Sequence, residues 1–120
     1  MKIAITAKEG TLASDLDPHF GRAKTLIVFE TDTNQFTAHD NAQNLNAAQG
    51  AGIQAAQMVS RLGAKALITG NVGPKAFRTL KEAGIKIYLS SAGTVTEAIE
   101  AFNKNELKEP SGATKEGHWA

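Results

Sequence analysis

Apolar residues in the first forty positions fall in short runs of β-strand length, and beyond about residue 50 they shift to helical spacing interrupted by further short runs. Lys2 to Ala7 carries Ile3 and Ile5 and is bounded by Lys8-Glu9-Gly10, which predicts a strand leading into a loop. That loop continues to Gly21, with Pro18 and Gly21 opposing regular structure. Thr25-Leu26-Ile27-Val28-Phe29 is an unbroken β-branched and aromatic run, as expected of a strand covered on both faces. Thr31-Asp32-Thr33-Asn34 is a polar turn from which Gln35 to His39 can return as the second arm of a hairpin, so the sheet contains at least one reversal.

Ile53, Ala56, Val59 and Leu62 recur at helical spacing before Gly63, predicting a helix over about 50–62. Ala66-Leu67-Ile68-Thr69 reads as a buried strand ending at Gly70. A second helix opens at Pro74, buries Ala76, Phe77, Leu80 and Ala83, and stops at Gly84. Ile85, Ile87 and Leu89 then alternate with Lys86 and Tyr88 as a strand. Thr94 and Glu97 have capping-box spacing ahead of the stripe Val95, Ala98, Ile99 and Phe102. Strand and helix alternate here as in parallel βαβ units. From about Asn103 the composition turns to Lys, Glu, Pro, Ser and Gly, so the compact domain is expected over 1–105, with 106–120 as a flexible tail carrying His118 and Trp119.

Composition removes several classes of function. The 120 residues include no cysteine, which excludes disulfides, thiolate zinc sites, cysteine nucleophiles and thiolate-held iron–sulfur clusters. Thirteen Lys and Arg against twelve Asp and Glu give a net charge of +1, and aromatics make up 6%, so neither charge nor stacking surface argues for nucleic acid. No apolar stretch approaches the roughly twenty residues of a membrane span, and Met1 leads directly into a strand without a signal-peptide pattern. A cytoplasmic protein is expected.

Three glycine-bearing loops fall at predicted strand ends or helix starts: Asp17-Pro18-His19-Phe20-Gly21-Arg22, Gln49-Gly50-Ala51-Gly52 and Thr69-Gly70-Asn71-Val72-Gly73-Pro74. In open α/β sheets ligands bind outside the carboxyl ends of the strands, where helix N-termini and glycine backbone favour an anion. Each loop also has a plain structural reading. Gly50 and Gly52 can simply ease the start of a helix, and Gly70 and Gly73-Pro74 can be turn chemistry. Neither a dinucleotide fingerprint nor a Walker motif is present.

His19, set between Pro18 and Phe20 with Arg22 three residues on, fits an anion-contacting pair; a turn-capping histidine beside a solvated arginine is the other reading. His39 reads as a strand-end surface residue. Asp15 and Asp17 lack the further carboxylates a two-metal hydrolytic site needs, and Ser90-Ser91 lacks a nucleophile elbow.

In order and spacing these segments resemble the dinitrogenase iron–molybdenum cofactor biosynthesis family of the NifX type, which includes the C-terminal domain of NifB. The likeness runs through Lys2-Ile3-Ala4-Ile5, His19-Phe20-Gly21-Arg22-Ala23, Gly50-Ala51-Gly52, Thr69 to Ala76, Leu80 to Tyr88 and the Thr94 to Phe102 helix, covering nearly all of 1–107. The resemblance implies an α/β protein of three-layer α/β/α architecture, ribonuclease H-like, with a five-stranded mixed sheet containing one antiparallel strand. It further implies non-enzymatic binding, storage or delivery of an iron–molybdenum cofactor or other molybdenum or iron–sulfur cluster. His19 would contact the metal cluster, Phe20, Gly21 and Arg22 would shape its loop, and Gly50, Gly52, Gly70, Asn71 and Gly73 would line the opposite rim. The partners implied are cluster donor and acceptor proteins, with no nucleic acid or membrane, and the chain itself a monomer or weak homodimer. The alternative is a regulatory or scaffolding domain that docks on a partner protein without a cofactor.

Overall fold

The structure, a computed structural model, describes residues 1–41, 50–90 and 93–112. Its strands are β1 (Lys2–Ala7), β2 (Thr25–Glu30), β3 (Phe36–Asp40), β4 (Ala66–Thr69) and β5 (Lys86–Leu89), and its helices α1 (Ala51–Arg61), α2 (Pro74–Glu82) and α3 (Val95–Asn103). The strands form one sheet in the order β3-β2-β1-β4-β5. β2 runs antiparallel to both its neighbours, while β1, β4 and β5 pair in parallel, so β2 is the single reversed strand. The one antiparallel strand expected from the family resemblance is therefore the first arm of the hairpin that the sequence pattern indicated.

Both faces of the sheet are covered, which explains why the central strands read as continuous apolar runs. Ala4, Leu26, Leu67 and Ile87 point to one side, where they pack with Ala55, Ala56 and Val59 of α1 and Ala76 and Leu80 of α2. Ile3, Ile5, Ile27, Phe29 and Ile68 point to the other, against Val95, Ala98 and Ile99 of α3. The isoleucine and leucine side chains Ile3, Ile5, Leu26, Ile27, Leu67, Ile68 and Leu80 are wholly excluded from solvent. Truncating any one of them to alanine is expected to cost about 2–5 kcal/mol.

Local signals set the ends of the helices. Gly63 and Gly84 take positive φ after α1 and α2, as glycine does past a helix C-terminus. The Thr94–Glu97 capping box forms in full: the Thr94 N–H donates to Glu97 Oε1 at 2.9 Å and the Glu97 N–H donates to Thr94 Oγ1 at 3.2 Å.

Two features depart from the sequence pattern. Tyr88 is not the outward residue of an alternating strand; it packs on the α3 side, edge-on to Phe102 with ring centroids 5.1 Å apart. The chain also stays attached to the sheet beyond 105. Leu107 packs against the α3-side core, and the Lys108 carbonyl accepts from the Leu89 N–H at 2.8 Å. Residues 113–120, with His118 and Trp119, lie outside the described residues, as do Gln49 and Ser91.

Candidate functional site

The carboxyl end of β1 organises the first loop. The buried Thr6 hydroxyl donates to the Asp17 carbonyl at 2.6 Å, and the Asp17 N–H returns to the Thr6 carbonyl at 2.9 Å. Asp17 then turns its own carboxylate onto the His19 N–H at 3.0 Å, a local bond typical of Asp in turns. Asp17 thus shapes the loop, and Asp15 is exposed on a bridge to Thr94. Among the described residues no three His, Asp or Glu side chains gather in a way that could hold a metal ion.

Residues 19–22 make a tight turn in which the Arg22 N–H donates to the His19 carbonyl at 3.1 Å. Gly21 stands at its third position with φ +90°, which a type II turn requires and an L side chain resists. The turn splits its side chains by polarity. Phe20 enters the α1/α2-side core and is 8% exposed, while His19 and Arg22 at the two ends are exposed. Phe20 therefore serves as an anchor rather than a surface contact, and burying it faces the imidazole and guanidinium outward.

The second loop, residues 70–73, lies directly against the first. The Asn71 N–H donates to the Pro18 carbonyl at 2.8 Å, and the Phe20 N–H donates to the Asn71 carbonyl at 3.4 Å, a parallel bridge between His19 and Asn71. Only glycine fits at 70, since a Cβ there would stand 2.5 Å from Pro18 Cβ. Val72 is buried in the same core as Phe20, so each loop is anchored by one apolar side chain.

The third segment closes on the other flank of the turn. A Cβ on Gly21 would lie 3.0 Å from Gly52 Cα, and one on Gly52 would lie 3.1 Å from Ala76 Cβ. The first turns of α1 and α2 thus meet beside the His19 turn. Gly50, Gly52, Gly70, Asn71 and Gly73 all belong to segments that converge with His19, Gly21 and Arg22.

Two helix starts contribute to the electrostatics of this platform. Among the described residues, neither α1 nor α2 has a side-chain cap at its N-terminus or an acidic residue in its first turn, whereas α3, on the opposite face, has both. Uncapped N-termini present backbone N–H groups and the positive end of the helix dipole. Lys75, exposed in the first turn of α2, adds a cation where the dipole disfavours one. With Arg22 and His19 alongside, the platform gathers N–H donors and positive charge, a combination chemically suited to an anion.

A separate open groove of about 760 Å³ runs between β2–β3 and the end of α1, lined by residues including Lys2, Val28, Thr37, His39 and Leu62. It adjoins the carboxyl, electronegative end of α1 and contains none of the converging loop residues. His39 lies there, its Nε2 2.8 Å from Thr37 Oγ1, and not with His19.

Sequence reasoning passed over Thr6 and Thr69, which share a buried hydrogen bond of 2.9 Å beneath the two loops. The available signal was a hydroxyl residue near the end of each of two otherwise apolar strands.

Comparison with known proteins agrees with this architecture. The chain matches the dinitrogenase iron-molybdenum cofactor family model over residues 1–105. It is similar to the orange protein of Desulfovibrio gigas, solved in its apo form, with 38% identity, coverage of 95% of this chain and 96% of that one, and a TM-score of 0.92. A candidate NifB protein from Thermotoga is 36% identical over 97% of this chain and 98% of that one, with a TM-score of 0.84. An uncharacterized protein of Methanocaldococcus jannaschii is 29% identical over 110 residues, 90% of each chain. On the residues matched and the architecture shared, the chain belongs to the dinitrogenase iron-molybdenum cofactor family.

Proposed function

We propose that this protein is a carrier that binds, stores or delivers an anionic metal–sulfur cluster, an iron–molybdenum cofactor or a related molybdenum or iron–sulfur species, without catalysing a reaction. The observation that carries the reading is the meeting of the His19–Arg22 turn with two uncapped helix N-termini, beside Lys75. Membership of a family named for the iron–molybdenum cofactor supports the choice of cargo. The chemistry of the cradle supports it too. Sulfide-bridged molybdenum clusters are large anions, and backbone N–H groups with a guanidinium satisfy such charge without a covalent bond.

In this reading Arg22 supplies fixed charge, and His19 supplies an imidazole that donates to the cluster or ligates a metal at its edge. Gly21, Gly52 and Gly70 let the three segments approach, while Gly50, Asn71 and Gly73 border the far rim. Few reversible contacts suit a cargo that must be passed on, from a donor protein to an acceptor.

The test is anaerobic incubation with a thiomolybdate or an iron–molybdenum cluster, followed by gel filtration with visible absorption. Colour is expected to co-elute with the wild-type protein and to diminish with His19→Ala and Arg22→Ala. Absence of colour from the wild type, or equal colour in both variants, refutes the assignment.

A further inference from the structure

We propose that Thr6, in the interior of the sheet, is a positioning residue that sets the spacing of the two rims and thereby the affinity of the platform; this rests on the carrier reading above. Thr6 and Thr69 are both fully buried. Valine would fill either position with the same shape and no polar atom to satisfy, so each hydroxyl calls for a partner. The Thr6 hydroxyl has two: the Asp17 carbonyl at 2.6 Å and the Thr69 hydroxyl at 2.9 Å. A hydroxyl carries one proton and two lone pairs, so both contacts are satisfied together when Thr6 donates to Asp17 and accepts from Thr69.

The position of this pair gives it its effect. Asp17 begins the loop that presents His19, and it holds the His19 N–H through its own carboxylate. Thr69 is the last residue of β4 and leads directly to Gly70 and Asn71, the opposite rim. One buried oxygen is therefore bonded to the root of each rim, beneath the bridge from Asn71 to Pro18 and Phe20. The other end of the first loop is fastened independently, by the Asn41 side-chain amide donating to the Ala23 carbonyl at 2.8 Å. With that end held, loss of the Thr6 hydroxyl is felt at residues 17–20.

The two hydroxyls are not equivalent, which makes the proposal testable. Thr6→Val removes both bonds, leaving the Asp17 carbonyl and the Thr69 hydroxyl without this partner. Thr69→Val removes one and leaves the bond from Thr6 to Asp17 in place. Thr6→Ser keeps the hydroxyl.

The experiment uses the full chain and two readouts, backbone amide resonances without ligand and the affinity for tetrathiomolybdate under anaerobic conditions, with thermal melts to verify folding. Thr6→Val is expected to move the amide resonances of Asp17, His19 and Asn71 and to weaken tetrathiomolybdate about tenfold, the loss typical when a residue behind a ligand contact is removed. Thr6→Ser restores both, and Thr69→Val moves Asn71 more than His19. Unmoved amides in Thr6→Val, or an affinity loss that serine does not restore, overturns the proposal. If the wild type binds no tetrathiomolybdate, the carrier reading fails with that probe, and the amide resonances alone decide whether Thr6 sets the rims.

Discussion

Replacing Gly70 by alanine probes the junction on which the candidate site depends. The new Cβ would fall 2.5 Å from Pro18 Cβ, 2.7 Å from Pro18 Cα and 2.8 Å from the Pro18 carbonyl oxygen. Ordinary contact begins near 3.4 Å, so the loops must separate by roughly 1 Å, and the obstruction is a proline whose ring has no alternative rotamer to adopt. The same movement stretches the 2.8 Å bond from Asn71 to Pro18 and the 3.4 Å bond from Phe20 to Asn71. Overpacking of this kind costs about 1–3 kcal/mol, and loss of the longer of the two bonds adds about 1 kcal/mol, for a total of about 2–4 kcal/mol. In a domain of this size each kcal/mol lowers Tm by roughly 3–5 °C, so Gly70→Ala should melt about 10 °C below the wild type. Thermal unfolding followed by circular dichroism measures the shift, and amide spectra locate it at residues 18–20 and 71. A variant that melts within about 1 °C of the wild type with those amides unmoved would show that the two loops are not in contact as described.

Other substitutions separate stability from binding. Thr94→Ala removes the capping box of α3 and should cost about 1 kcal/mol in a thermal melt, while tetrathiomolybdate affinity stays unchanged because α3 lies on the other face of the sheet. Gly73 has φ −73°, and a Cβ added there would meet nothing within 4 Å. Gly73→Ala fits without a clash, and because alanine is a poorer N-cap than glycine while it lowers unfolded-chain entropy, stability should change by no more than about 1 kcal/mol while binding of the anion weakens; unchanged affinity would detach the start of α2 from the site. The Met1 ammonium bonds the Glu30 and Asp32 carboxylates. That contact, chiefly the bond to Glu30, raises the ammonium pKa, while the ammonium holds the Glu30 carboxyl below its usual range. The ammonium contribution is complete below the ordinary α-amino pKa and is lost as pH rises through the raised value. The Glu30 contribution is complete above the ordinary Glu pKa and is lost as pH falls through the lowered one. Tm measured across pH should therefore show a broad plateau with losses at both ends, and Glu30→Gln should flatten the acid-side loss.

Much of the fold is legible because period and punctuation agree. Lys2–Ala7 and Ala66–Thr69 have the bounds their apolar runs suggest, Pro74 opens α2, and Thr94 with Glu97 caps α3. β2 extends one residue past its apolar run and β3 runs Phe36–Asp40 where the hairpin arm was expected over Gln35 to His39, because backbone pairing of Lys2 with Glu30 and Thr25 with Asp40 continues regardless of side chain. Tyr88 was misleading for a related reason: an aromatic in an alternating pattern can still be covered when the strand has helices on both sides.

At the site, the residue types in the three loops suggested an anion, but their convergence rests on strand order. β1 and β4 are neighbours although about sixty residues separate them, and neither periodicity nor composition encodes that adjacency. Phe20 illustrates the limit. Its place between His19 and Gly21 is plain in the sequence, while its direction into the core follows only from the turn at Gly21 and the packing of α1 and α2. Thr6 and Thr69 are inconspicuous for the opposite reason, since threonine is a common strand residue and their shared bond appears only once the strands are paired.

The central claim is that an anionic cluster sits where the His19 turn meets the starts of α1 and α2. Anaerobic titration of the ¹⁵N-labelled protein with tetrathiomolybdate, read as amide shifts, tests it most directly. Shifts that saturate together at His19, Arg22, Gly52 and Lys75 are predicted. No shifts at saturating probe, or shifts confined to the groove around Val28, Thr37 and Leu62, would contradict it.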